Sequence, residues 1–149
     1  MRKTALLASA VLISLTPARA GAATEIPAAC KKYVKLALEV GFKKGDLPEL
    51  FRLAHRESRC IPTNIGLNKR ADGSVWSKDV GLMQVNNYSW ITYLRNQGIA
   101  QTSDDLLNPR TNLRAALALV KYSIKEGLPK WYQWRTSNPN GSAGAAAKP

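Results

Sequence analysis

The chain has a single histidine and only two cysteines in 149 residues, and its 10 acidic residues face 22 lysines and arginines. Each scarcity excludes something. With His55 alone and no cysteine cluster beside it, there is no ligand set for zinc, which argues against zinc amidases and zinc peptidases. The apolar run Ala5–Leu15 falls well short of the roughly 20 residues that span a bilayer as a helix, so no stable membrane insertion is expected. With acids in the minority the formal charge is +12, which suits polyanionic partners such as wall polymers, phospholipid surfaces or nucleic acid. The basic residues are scattered, however, apart from doublets at Lys31-Lys32, Lys43-Lys44 and Lys69-Arg70. No nucleic-acid motif or dense basic stripe accompanies them, so nucleic acid is not expected as a partner.

What is present begins with the layout of an export signal. Arg2 and Lys3 precede the apolar run, and Ala18-Arg19-Ala20 supplies small residues at a cleavage site. A leader over residues 1–20 is expected, with cleavage as late as residue 23. The mature chain then belongs in the periplasm or outside the cell. There Cys30 and Cys60 are expected to form a bridge, two free buried thiols being the alternative. Closing that loop stabilises a fold by about 3–4 kcal/mol in the chain-entropy model. Residues 21–136 suit one domain with one core. Residues 137–149 are small and polar, and read as a disordered tail.

Periodicity predicts a mainly α fold with a small β component (α+β). Residues 26–40 read as a first helix ending near Gly41. Asp46-Leu47-Pro48-Glu49 opens a second, with Asp46 as N-cap and Glu49 at capping-box spacing, running to about Arg59. Residues 63–80 are rich in Asn, Gly, Asp and Ser, with a tight turn at Asp72-Gly73, and predict a loop or small β-hairpin. A short helix follows over residues 87–96, closed by Gly98. Asn108-Pro109 starts the clearest helix, whose apolar stripe is Leu113, Leu117, Val120 and Ile124, with Gly127 as its stop.

Glu57 is the first candidate for chemistry. Leu50, Leu53 and Ala54 lie one and two turns before it, which places its carboxyl on the apolar face of the second helix. A carboxylate there is costly unless paired or protonated, and the negative end of the helix adds to that cost. Both effects favour the protonated state that a general acid needs. Arg56 and Arg59 are expected to project elsewhere. The plainer reading is a core-edge glutamate bonded to a backbone group. Downstream, Asp79 to Asn86 contains Gly81, which allows close backbone approach, and the amides Gln84 and Asn86, which suit sugar hydroxyls and N-acetyl groups. If the stretch is extended, those two amides share a face.

Together these residues resemble a known family. Glu57-Ser58, the Asn- and Gly-rich loop and Gly81-Leu82-Met83-Gln84, in that order, look like the lytic transglycosylase SLT domain of the lysozyme-like superfamily. Asp72-Gly73-Ser74 and the run Asp79–Asn86 bring the resemblance closest to the small specialised transglycosylases of secretion, conjugation and pilus machines. Leu107 to Leu113 is similar to the family's later Asp-Pro-x-x-Asn-Ile helix start, with Asn108 in place of the aspartate. The resemblance covers roughly residues 46–134.

It implies a lysozyme-like helical domain, peptidoglycan glycan strands as substrate, Glu57 as the catalytic acid and base, and no cofactor. Ser58, Met83, Gln84 and Asn86 are then candidate substrate contacts. The chain departs from the family in lacking an Ala-Tyr-Asn-Ala-Gly segment in a late helix. Tyr132, within Trp131-Tyr132-Gln133-Trp134, is the candidate substitute for its tyrosine, while Trp131 and Trp134 suit either sugar stacking or core packing. A monomer acting on the wall is expected, with a secretion, conjugation or pilus apparatus as a candidate partner. Two alternatives stand beside the transglycosylase reading. One is a muramidase using Glu57 with Asp79 as second carboxylate, against which Asp79 reads equally as a turn-capping residue. The other is a non-catalytic wall-binding or antimicrobial module.

Overall fold

The structure, a computed structural model, describes residues 25–135. The expected leader (1–20) and tail (137–149) lie outside the described residues. At the N-terminal side, the Cys30 amide donates to the Pro27 carbonyl at 2.8 Å, the short-range bond of a 3-10 turn. That turn, Ala28–Tyr33, leads into α1, Val34–Val40, so the first half of the expected helix is wound more tightly than predicted. Gly41 ends α1 with φ at 110°.

Helix α2 spans Leu47–Ser58 and buries Leu50, Phe51, Leu53 and Ala54. The expected capping box does not form. Asp46 ends a 3-10 turn with helical backbone angles, φ −87° and ψ −21°, whereas a side-chain cap needs extended ones. Its carboxylate instead takes Lys130, and Glu49 pairs with Arg52 at 2.6 Å. Beyond α2 the disulfide Cys30–Cys60, with Cα atoms 5.3 Å apart, ties the chain back to the first 3-10 turn.

The middle of the chain is the expected hairpin, extended by one more strand. β1 (Ile65–Lys69), β2 (Val75–Val80) and β3 (Val85–Asn86) form an antiparallel sheet in that order. At the β1–β2 turn, Asp72 accepts the Ser74 amide at 2.9 Å and Gly73 takes φ 84°. Register sets Gly66 opposite Asp79, Asn68 opposite Ser77, and Asp79 opposite Asn86. Alternation along each strand therefore gathers Asn68, Ser77, Asp79 and Asn86 on one face.

Asn86 also caps α3, Asn87–Asn96, by accepting the Ser89 amide at 3.0 Å. Helix α4, Pro109–Lys125, starts as predicted. Asn108 Oδ1 accepts the amides of Arg110 and Thr111, and Pro109 occupies the first helical position. Its buried face departs from the expected stripe: Leu113, Ala116, Leu119, Val120 and Ser123 point inward, while Ile124 is 55% exposed. Buried Ser123 is accommodated because its hydroxyl donates to the Leu119 carbonyl at 3.0 Å. These side chains join α1, α2, α3 and the sheet in a single apolar cluster. Among the described residues no helix is long and apolar enough to cross a membrane.

Candidate active site

Glu57 occupies the last turn of α2, on the side that carries Leu50, Leu53 and Ala54, with 20% of its side chain exposed. It is not left unpaired. Arg56 folds back along the helix, and its Nε and Nη2 both donate to Glu57 Oε1, at 3.0 and 2.5 Å. The same Nη2 donates to the Trp134 carbonyl at 2.5 Å. The expectation that Arg56 projects elsewhere is thus corrected. Neighbouring Cα–Cβ directions diverge on a helix, but the arginine arm is long enough to turn toward a site where two acceptors converge.

The neighbouring serine faces inward. Ser58 is 2% exposed, and its hydroxyl donates to the Leu82 carbonyl at 2.7 Å, with the Ala54 carbonyl also 3.1 Å away. Met83 is fully buried; its amide donates to Asn112 Oδ1 at 2.9 Å and its carbonyl accepts Trp134 Nε1 at 2.8 Å. Neither side chain is therefore placed to touch a sugar. The Ser58 hydroxyl holds the end of α2, and the Met83 backbone holds the last described turn, Tyr132–Trp134, against the segment between β2 and β3.

That segment is a turn, not the continuous extended run that would align Gln84 with Asn86. The Gln84 amide donates to the Gly81 carbonyl at 3.2 Å, and Gly81 and Gln84 have φ of 80° and 46°. Gly81 permits a contact no other residue would allow. A Cβ there would sit 2.2 Å from Asn112 Nδ2 and 2.3 Å from the Leu106 carbonyl. Asn112 Nδ2 bridges the Val80 and Leu106 carbonyls at 2.8 Å each. Gln84 Nε2 closes the turn from the other side, donating to the carbonyls of Gly81 at 2.9 Å and Asn64 at 3.1 Å.

Asp79 and Asn86 flank this turn on the polar face of the sheet. Asp79 Oδ1 accepts Asn86 Nδ2 at 2.8 Å, and Oδ2 accepts Asn68 Nδ2 at 2.9 Å. Asn68 Nδ2 and Asn86 Nδ2 also donate to Ser77 Oγ, at 3.0 and 3.1 Å respectively. Asp79 is thus a carboxylate whose two oxygens each accept a bond, not a turn cap. Tyr132 is half-buried in the turn at Tyr132–Trp134, and it is Trp134 that reaches the Glu57 neighbourhood. Trp131 and Trp134 pack inside: Trp131 stacks on Phe42 at 6.3 Å and meets Trp134 edge-on at 6.1 Å.

Several partners escaped the sequence reading. Arg56 and the Trp134 carbonyl meet only through tertiary packing. Asn68 and Ser77 join Asp79 by strand register. Asn112 lay within the quoted Asn-Pro-x-x-Asn helix start, which was the one available signal for it. Taken together, the geometry offers one acid with a tied oxygen and, among the described residues, an untied one, while the next residue, Ser58, bonds to a turn braced by buried hydrogen bonds. The sheet face that flanks this turn is lined by amides, a hydroxyl and a second carboxylate, groups suited to sugar hydroxyls.

Against known proteins, the family model described as the transglycosylase SLT domain matches residues 41–144. That stretch takes in Glu57, the polar sheet face and the Gly81–Gln84 turn. No curated protein gives a significant match to the chain.

Proposed function

The chain belongs to the transglycosylase SLT domain family, whose members are lytic transglycosylases acting on peptidoglycan, and from that premise we propose how it works and where. Glu57, protonated, donates to the oxygen of the β-1,4 bond between N-acetylmuramic acid and N-acetylglucosamine. As carboxylate it then takes the proton of the muramic C6 hydroxyl, whose oxygen closes onto C1. The C1–O4 bond breaks, the C1–O6 bond forms, and the product is a 1,6-anhydro sugar. No cofactor is required, since one carboxyl gives a proton to O4 and takes another from O6.

The observation that carries this reading is the setting of Glu57. It is an acid on an apolar helix face, four-fifths buried, and no hydrogen bond reaches its Oε2 among the described residues. Gln84, Asn86 and the amide-lined sheet face supply groups to hold the sugar, with Tyr132 a further candidate. Ser58 and Met83 act through the backbone they brace. The test is the product released from purified peptidoglycan, identified by mass spectrometry, with Glu57→Gln as control. Anhydro-terminated fragments from the parent and none from the variant are expected. Fragments with reducing ends alone would overturn the transglycosylase step.

One observation favours a second reading. Asp79 stands as a carboxylate braced by two amides on the face flanking the turn, the type of group that stabilises an oxocarbenium ion or directs a water in two-carboxylate glycosidases. A muramidase outcome would give the reducing-end products just described. We further propose that the enzyme is exported by its leader and acts as a monomer in the periplasm or outside the cell. On the likeness of residues 72–74 and 79–86, its partner would be a secretion, conjugation or pilus apparatus.

A further inference from the structure

We infer that Arg56 is a positioning residue which decides which oxygen of Glu57 carries the proton; the inference rests on Glu57 being the acid. Arg56 donates twice to Oε1, through Nε at 3.0 Å and Nη2 at 2.5 Å. An oxygen accepting two charge-assisted bonds has its lone pairs committed. In the acid form the proton is therefore carried by Oε2, which no hydrogen bond occupies among the described residues. Both transfers run through that one atom: Oε2–H protonates the leaving O4, and Oε2 afterwards takes the proton of O6, so the carboxyl ends as it began.

The pair differs from an ordinary surface contact. An exposed ion pair such as Arg52–Glu49, with side chains 46% and 38% exposed, fixes little, because both arms are free to leave. Arg56 and Glu57 are 35% and 20% exposed, and the guanidinium has a third tie. Its Nη2 donates to the Trp134 carbonyl at 2.5 Å. Trp134 is buried, its ring lies against Trp131, and its indole donates to the Met83 carbonyl at 2.8 Å. A planar guanidinium held along its Nε–Nη2 edge by two different residues transmits orientation, which a lysine ammonium, a point charge, does not. The turn at Tyr132–Trp134 thereby sets the angle of a carboxyl far away in sequence.

The experiment measures kcat and KM on soluble glycan chains for Arg56→Gln, Arg56→Lys, Trp134→Phe and Glu57→Gln, with thermal melts of each. Arg56→Gln is expected to lower kcat by about tenfold to a hundredfold with KM within about twofold, the signature of a mis-aimed group that still binds substrate. Arg56→Lys restores only part of that loss. Trp134→Phe keeps the carbonyl but frees the turn, and lowers kcat by about threefold to tenfold with KM unchanged. Parental kcat in Arg56→Gln, a loss confined to KM, or full activity in Arg56→Lys would each overturn the inference. If Arg56→Gln does not fold, parental kcat in either of the other two variants does the same. Glu57→Gln separates the two levels. An active Glu57→Gln sinks the reading of Glu57 itself, whereas an inactive one beside a fully active Arg56→Gln sinks only the role given to Arg56.

Discussion

The hydroxyl of Ser58 donates to the carbonyl of Leu82 at 2.7 Å across a buried contact. The residue after the proposed acid is thus tied to the turn between β2 and β3. The serine beside Glu57 is a bracket between two segments that are remote in sequence.

Ser58→Ala follows directly. Removing the hydroxyl leaves a buried carbonyl without that donor, which costs about 1–3 kcal/mol. Urea denaturation should show a lower midpoint with an unchanged slope. Because the serine does not reach the surface, the folded variant should keep kcat within about tenfold of the parent. A kcat loss beyond that, at parental stability, would place Ser58 in contact with substrate instead.

Gly81 and Gly73 form a matched pair for separating backbone strain from steric conflict. Both have positive φ, 80° and 84°. A Cβ at Gly73 would meet nothing within 4 Å, whereas at Gly81 it would press on Asn112 and the Leu106 carbonyl. Gly73→Ala should cost only the strain of a left-handed alanine, about 1–2 kcal/mol. Gly81→Ala should exceed it by about 2 kcal/mol or more, because neither a buried amide nor a backbone carbonyl can move aside cheaply. Equal losses in chemical denaturation would mean that the turn relaxes around the new methyl.

Much of this architecture was legible because it is local. The N-cap at Asn108, the stop at Gly127, the Asp72-Gly73 turn and the apolar face leading to Glu57 each depend on a few neighbouring residues. The failures share a cause, which is that the deciding partner came from far along the chain. Asp46 is the exception, losing its cap to the helical backbone angles of a local 3-10 turn, after which its carboxylate takes Lys130. Arg56 reads as projecting away from Glu57 until Trp134 supplies a second acceptor. The residues around Gly81 leave an extended run open, and Asn112 and Gln84 close them into a turn. Register was hidden as well, since a bulge between Asn68 and Lys69 breaks the count from the turn. The company Asp79 keeps on the sheet could not be obtained from the hairpin's sequence.

Stability should fall in acid partly through Asp105. Its Oδ2 accepts the amides of Thr102 at 2.9 Å and Gln101 at 2.8 Å. The Thr102 bond, then the Gln101 bond, holds its carboxyl below the ordinary value of 3.8. The unfolded chain therefore binds the proton more readily, so this contribution is present above that value and fades as pH falls through the lower folded one. Asp105→Asn removes the titration. Thermal melts from pH 6 down to pH 2 should show a shallower acid decline for the variant than for the parent. Parallel curves would show that the bonds contribute no pH dependence.

Asp79→Asn puts the second carboxylate to the test, with a structural cost worked out in advance. Each carboxylate oxygen accepts an amide, from Asn86 at 2.8 Å and from Asn68 at 2.9 Å. An asparagine can accept only one of them and must turn its own donors toward the other. The variant therefore loses a hydrogen bond and sets two donors against each other, for about 1–3 kcal/mol in denaturation. That loss occurs whichever chemistry the enzyme performs, so activity has to be read at temperatures where the variant is folded. If Asp79 only braces the sheet, kcat stays within about tenfold and anhydro products persist. If it stabilises an oxocarbenium ion, kcat falls by about a hundredfold or more at unchanged KM. Measured beside Glu57→Gln, the two variants assign the carboxyls separately, since the glutamate is needed in both mechanisms and the aspartate's charge in only one.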